Sequence, residues 1–270
     1  MSKKLKLLAV FAHPDDESMG TGGVLAKYAS EGVETYLICA TRGERGWFGS
    51  DETNPGFERL GLIRTKELEA AGKILGLKEI HFLDYIDGDL DQADHNDAAG
   101  KIAAHIRAIK PQVIITFAHD GSYGHPDHIA ISQFTTAAII QAADASFVDS
   151  SNNSPHRVSK LYYFVDSEAF ADAFIKYMGE IEFPVDDQVR GEAAWKDWMI
   201  TTRVDISSHW KTVWDAISCH QSQLPSLGPM LDLPEDEIRK LLILQGTFYR
   251  VFSFVNGGRM SETDLFEGLR

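Results

Sequence analysis

A histidine and three carboxylates fall within five positions of Phe11-Ala12-His13-Pro14-Asp15-Asp16-Glu17, where an apolar run gives way to a helical pattern. Much later, Tyr123-Gly124-His125-Pro126-Asp127-His128 stands at the same kind of junction. A catalytic zinc takes three protein donors and keeps one position open for water. His13, Asp16 and His128 can supply two imidazoles and one carboxylate. His13 and Asp16 stand three apart across a strand-to-helix turn, which brings both side chains to one side. Asp15 is left beside the donors without being needed as one, so it can take a proton from water. His125 can stabilise a developing oxyanion or protonate a leaving amine. Asp127 can orient His125 from behind and favour its protonated form. Either half alone has an ordinary explanation, because acidic residues at a helix start offset the macrodipole. A second His-Pro-Asp at a second strand-to-helix junction favours the metal centre over two coincidental caps, and leaves Glu17 as a cap.

Two such junctions need a scaffold that delivers them to one place. Residues 5–12 form a continuous apolar run, the pattern of a strand buried on both faces. Further strands are expected at 33–40, 80–83, 113–117 and 160–165. Helices are expected from Asp15–Glu17 to about Gly32, over 57–75 with Gly76 as a stop, from an Asp97 cap to 109, and from Pro126 to about Ala143. This alternation predicts an α/β, Rossmann-like three-layer sandwich with a mostly parallel sheet of order about 3-2-1-4-5. In such a sheet ligands bind where strand order reverses, between the first and fourth strands, and those two strands carry the two motifs. One domain over 1–270 is expected, with a core at about 5–165 and a less regular C-terminal extension at about 166–270. Within the extension, helices are expected at 167–178, 207–220 and 234–244, and extended pieces at Val204 and 248–254. The glycine-rich loop 41–49 reads as exposed.

Composition narrows the partners. With 40 Asp plus Glu against 26 Lys plus Arg, a formal charge of −14 repels nucleic acid and anionic membranes. No stretch approaches a membrane span. Two cysteines imply no disulfide framework and suit a reducing cytosol, so a cytoplasmic location is expected.

At the two motifs the sequence resembles the LmbE-like, PIG-L family of zinc-dependent N-deacetylases, whose marks are Ala-His-Pro-Asp-Asp-Glu after the first strand and His-Pro-Asp-His after the fourth. Both are present without substitution, and His220-Gln221-Ser222-Gln223 resembles the family's later His-x-Ser-Gln. The resemblance implies hydrolysis of the N-acetyl group of an N-acetylglucosamine-type small molecule. Position by position it implies His13, Asp16 and His128 as metal ligands, Asp15 as general base, His125 as the histidine assisting the tetrahedral intermediate and Tyr123 as a tyrosine polarising the carbonyl. Thiol-conjugate amidases of the family carry a lysine shortly after the first motif. Here that neighbourhood is Ser18-Met19-Gly20, which points away from that specialisation. Relatives that assemble allow a homo-oligomer.

Arg42 and Glu44, after the second strand, and His220 are the candidate substrate contacts; a solvated charged loop is the competing reading for the first two. Asp84 and Asp87, after the third strand, carry the same two readings, and His119 and Asp120 are read as loop residues. Trp195, Trp198, Trp210 and Trp214 offer a sugar platform or, at helical spacing, core. The donor set accepts Zn2+ or Fe2+. Two histidines and a carboxylate also describe a non-haem Fe(II) oxygenase, and a non-catalytic sugar-binding module is the remaining alternative.

Overall fold

Leu7 to Ala12 are apolar at every position and each is at most 1% exposed, so the strand they build, β1 (Lys6–Phe11), is covered on both faces. In the computed structural model, residues 4–148, 151–179, 183–185, 188–191, 193–256 and 261–270 are described. β1 pairs in parallel with β2 (Glu34–Thr41) on one side, and β2 with β3 (Glu79–Tyr85). On its other side β1 pairs in parallel with β4 (Val113–Phe117), and β4 with β5 (Lys160–Phe164). The order 3-2-1-4-5 is the expected one. A hairpin, β6 (Phe183–Val185) and β7 (Gln188–Arg190), forms a separate small sheet. The main sheet goes on past β5 with two antiparallel strands, β8 (Thr202–Arg203) and β9 (Thr247–Ser253), giving β3-β2-β1-β4-β5-β9-β8.

Strand order reverses at β1 and β4, so right-handed crossovers put helices on both faces. The expected first helix is broken into α1 (Asp16–Met19) and α2 (Gly22–Ser30). The break falls at Gly20-Thr21, where a Cβ on Gly20 would sit 2.8 Å from the Phe164 ring. That close approach holds the chain against the end of β5. α3 (Phe57–Leu75) ends at Gly76, whose φ of 75° closes it. α4 (His95–Ile109) begins ahead of the expected Asp97 because Asp94 is the cap, accepting the Asp97 N–H at 2.9 Å. The short α5 (Gly121–Gly124) leads into α6 (Pro126–Ala143), with Pro126 in its first turn. α4 and α6 pack together, as do α2 and α3.

The extension carries α7 (Glu168–Met178), α8 (Trp210–Ile217) and α9 (Glu235–Leu242). Trp210 and Trp214 pack against an apolar cluster of Val213, Ile238, Leu241 and Leu242, and so belong to the core. Trp195 is buried, with its indole N–H on Asp120, and Trp198 is exposed. The chain end is tied to the sheet by Glu262, which receives Lys160 Nζ at 2.7 Å and the Tyr162 hydroxyl at 2.6 Å. Among the described residues, no helix is long and apolar enough to cross a membrane.

Candidate active site

The turn after β1 is made by its own acidic residues. Asp16 Oδ2 accepts the backbone N–H groups of Ala12 and His13 at 3.1 and 2.8 Å, folding its carboxylate back beside His13. Across the switch point, β4 and the first turn of α6 bring His128 to the same spot. Its ring stacks on Phe117 with centroids 3.9 Å apart. His13 Nδ1 lies 3.2 Å from His128 Nε2. The Asp16 carboxylate lies 3.8 Å from the first nitrogen and 3.5 Å from the second.

The hydrogen-bond network assigns the protons. His128 Nδ1 lies 3.2 Å from the Gly121 carbonyl, so it donates and Nε2 carries a lone pair. His13 Nε2 lies 3.0 Å from Asp127 Oδ2 and 3.1 Å from Asp87 Oδ1, so it donates and Nδ1 carries a lone pair. Two lone pairs and a carboxylate thus face one point. Such a set repels itself unless a proton or a cation sits between its members, and it suits a divalent cation. The titration directions reflect the crowding. Burial alone would lower the His13 pKa, but Asp127 and Asp87 raise it well above 6.5. Burial, with nearby His13, pushes His128 well below 6.5. Burial also pushes Asp16 up to about 7, only partly offset by His13.

Around His13, two groups of donors lie close enough to hold an ion: His13, His125 and His128 on one side, and His13, Asp87 and Asp127 on the other. On the second side the oxygens already accept protons. Asp127 takes the Gly88 and Leu90 N–H groups at 2.7 and 3.1 Å, and Asp87 takes the Arg45 N–H at 3.0 Å. These two carboxylates orient His13 from behind. The expectation that Asp127 orients His125 is therefore corrected. From the first turn of α6 the Asp127 side chain reaches back to His13, and only its backbone N–H meets His125, donating to Nδ1 at 3.1 Å. That bond places a lone pair on Nδ1 and the His125 proton on Nε2.

Asp15 sits beside the donors with φ 118° and ψ −27°, a costly conformation for a residue with a Cβ. Arg64 and Glu17 hold it there. From α3, Arg64 donates to Asp15 Oδ2 at 3.1 Å and to the carbonyls of Pro14 and Gly43. Glu17 accepts the Asp15 N–H at 3.0 Å and the His220 ring at 2.9 Å. Burial raises the pKa of Asp15 despite Arg64. Glu17 is thus more than a cap: it is fully buried and braces the turn. His220, expected on the substrate, is fully buried behind the motif and has no part in the cavity wall. Arg42 binds Asp84 and Thr65, and Glu44 accepts the Asp87 N–H at 3.3 Å, so both brace loops instead of lining the cavity.

Sequence reasoning missed Arg64. Its signal lay in the glycine-rich loop read as exposed, where a Cβ at Gly43 or Gly46 would meet the guanidinium at 2.3 Å. It also undervalued Asp87. The cavity in front of the donors has a volume of about 750 Å³ and includes His13, Asp15, Asp16, Tyr123, His125 and His128 in its wall. The Tyr123 ring lies 5.3 Å from that of His128, and burial raises its phenol pKa, so it keeps its proton. His119 and Asp120 act within the loop, Asp120 accepting the Ser122 N–H.

Residues 8–139 match the family described as PIG-L, GlcNAc-PI de-N-acetylase. The chain is 35% identical over 253 residues to a protein of Thermobifida fusca named 1D-myo-inositol 2-acetamido-2-deoxy-alpha-D-glucopyranoside deacetylase, covering 83% of this chain and 85% of that one. It is 30% identical to a mycothiol S-conjugate amidase of Streptomyces coelicolor, covering 100% and 99%. Among solved structures it is similar to the conserved protein TT1542 of Thermus thermophilus, with TM-score 0.65 and 26% identity over 93% of this chain and 97% of that one. With both motifs at the switch point of the expected sheet and this likeness along most of its length, the chain belongs to the PIG-L family.

Proposed function

We propose that this chain is a metal-dependent hydrolase that removes the N-acetyl group from an N-acetylglucosamine-type sugar, releasing acetate and a free amine. The observation that carries the reading is the convergence of His13 Nδ1, His128 Nε2 and the Asp16 carboxylate beside an Asp15 that is not needed as a donor. These three would hold the cation; zinc fits the set, as does Fe2+. When bound there, the cation supplies Lewis acidity, bringing the pKa of a water to about 7 and polarising the acyl carbonyl.

Asp15 receives the proton as water attacks, its carboxylate aimed by Arg64 and its pKa raised toward the working range by burial. The His125 Nε2–H and the Tyr123 hydroxyl stabilise the developing oxyanion. Because His125 Nδ1 already accepts the Asp127 N–H, the proton delivered to the leaving amine comes from Asp15. Asp127 and Asp87 keep His13 in the donor tautomer. The acetylated amino-sugar class is supported by the Thermobifida fusca relative, whose name specifies a 2-acetamido-2-deoxy-glucopyranoside. Both cysteines are free, which fits a reducing cytosol as the place of reaction.

Acetate release from a panel of N-acetylglucosamine derivatives, with and without chelator, tests the activity. Asp15→Asn keeps the cation and loses turnover. Hydrolysis at the parent rate by that variant would refute the assignment of the base.

A further inference from the structure

Part of the cavity wall has no role in the amide hydrolysis proposed above. Met19 from α1, Phe164 at the end of β5, Phe170 and Met178 from α7, and Leu227 and Pro229 from the helical turn after α8 form an apolar wing in the wall of the same cavity. The wing is built in. Phe170 and Leu227 belong to the apolar cluster under α8 and α9, and Phe170 stacks on Phe174 behind it. Phe164 reaches the cavity because Gly20 has no Cβ to block its ring. One N-acetylated sugar at the donors needs far less than a cavity of about 750 Å³.

Charge narrows the occupant. Arg64 is the one Lys or Arg among the described residues lining the cavity, and Asp15, Pro14 and Gly43 already engage it. Asp87 and Asp166 also line it. Among the described residues lining the cavity, no further Lys or Arg stands ready for a phosphate.

We infer that the substrate is an uncharged N-acylated amino sugar bearing an apolar group that lies in this wing. The inference rests on the hydrolase reading above and adds what the rest of its substrate is. The apolar group hangs either on the glycosidic oxygen or on the acyl carbon, and both arrangements bring the same chemistry to the wing.

The experiment uses the zinc-loaded full chain and two series: alkyl glycosides of N-acetylglucosamine from methyl to octyl, and N-acyl glucosamines from acetyl to hexanoyl. Burial of each added methylene raises kcat/KM about fourfold in the series that places it in the wing. N-acetylglucosamine 1-phosphate is hydrolysed more slowly than the butyl glycoside. Met178→Gln and Leu227→Gln each reduce the long-to-short ratio of kcat/KM, a ratio read on one sample so that any loss of folded protein cancels. The series that rises identifies the atom carrying the group. Flat series with acetate still released from N-acetylglucosamine overturn the inference and leave the hydrolase intact. A rise that neither variant diminishes, or a phosphate ester that outruns the alkyl glycosides, also overturns it. No product from any compound overturns the hydrolase reading and the inference with it.

Discussion

Removing the Glu17 carboxylate should damage both stability and the base it braces. Glu17 and His220 are each fully buried and 2.9 Å apart. For Glu17, burial raises the pKa but His220 outweighs it, so the carboxyl titrates below 4.5. For His220, burial lowers the pKa but Glu17 outweighs it, so the ring titrates above 6.5. The two directions agree on an ion pair with no solvent to screen it. Glu17→Ala strands His220, whose next contact is Ser18 Oγ at 3.4 Å, and breaking a buried pair in this way costs about 3–5 kcal/mol. His220 can escape by losing its proton, so the lower end, about 3 kcal/mol, is expected. The Asp15 N–H also loses its acceptor while Asp15 holds φ 118°, a conformation that costs about 1–3 kcal/mol. Asp15 therefore relaxes and kcat falls more than KM rises. Glu17→Gln keeps an acceptor and should lose less of both. The pH dependence has a definite sign. The depressed Glu17 contributes fully above 4.5 and loses its contribution as pH falls through its folded value. The raised His220 contributes fully below 6.5 and loses its contribution as pH rises through its folded value. The penalty of Glu17→Ala should thus be largest between pH 4.5 and 6.5. Urea unfolding across pH, with kinetics on the same preparations, measures it. An unchanged midpoint with unchanged kcat would refute the bracing role.

The donor cluster makes its own pH prediction. The raised His13 and an Asp16 titrating at about 7 hold protons that a cation must displace, so calorimetric titration with zinc should show affinity at least about tenfold higher at pH 8 than at pH 6. Asp127→Ala removes the partner of His13 Nε2 and strands the Gly88 and Leu90 N–H groups; zinc affinity should fall about 10–100-fold in the same titration. Gly43→Ala forces a Cβ to 2.3 Å from Arg64 at a φ of 67°; denaturant unfolding should show a loss of about 1–3 kcal/mol, and kcat should fall with the displaced guanidinium.

The convergence of the proposed donors was legible because their spacing is local. His13 and Asp16 are three apart on one turn, His128 stands in a copy of the same junction, and the buried β1 and β4 runs fix where the two junctions meet. Arg64 was not legible, since nothing on α3 marks an arginine that crosses to Asp15 from 49 residues away. The pairing of His220 with Glu17 spans 203 residues and has no period to reveal it. Asp127 was read with His125, two residues before it, but in the first turn of α6 residues two apart point in different directions, and the Asp127 carboxylate meets His13 after β1.

The extension braces the site. His220 braces Glu17, Ser222 binds Glu67 of α3 through both its N–H and its hydroxyl, and Gln223 donates to the Gly46 carbonyl in the loop over Arg64. All the proposed donors and the base lie within the matched residues 8–139, whereas Phe164, Phe170, Met178, Leu227 and Pro229 lie beyond them. The proposed donors and most of the apolar wing, Met19 excepted, therefore lie on different stretches of chain. An exchange of residues 166–270 that preserved His220, Ser222 and Gln223 would leave the donors braced while replacing most of the wall against which the rest of the substrate lies.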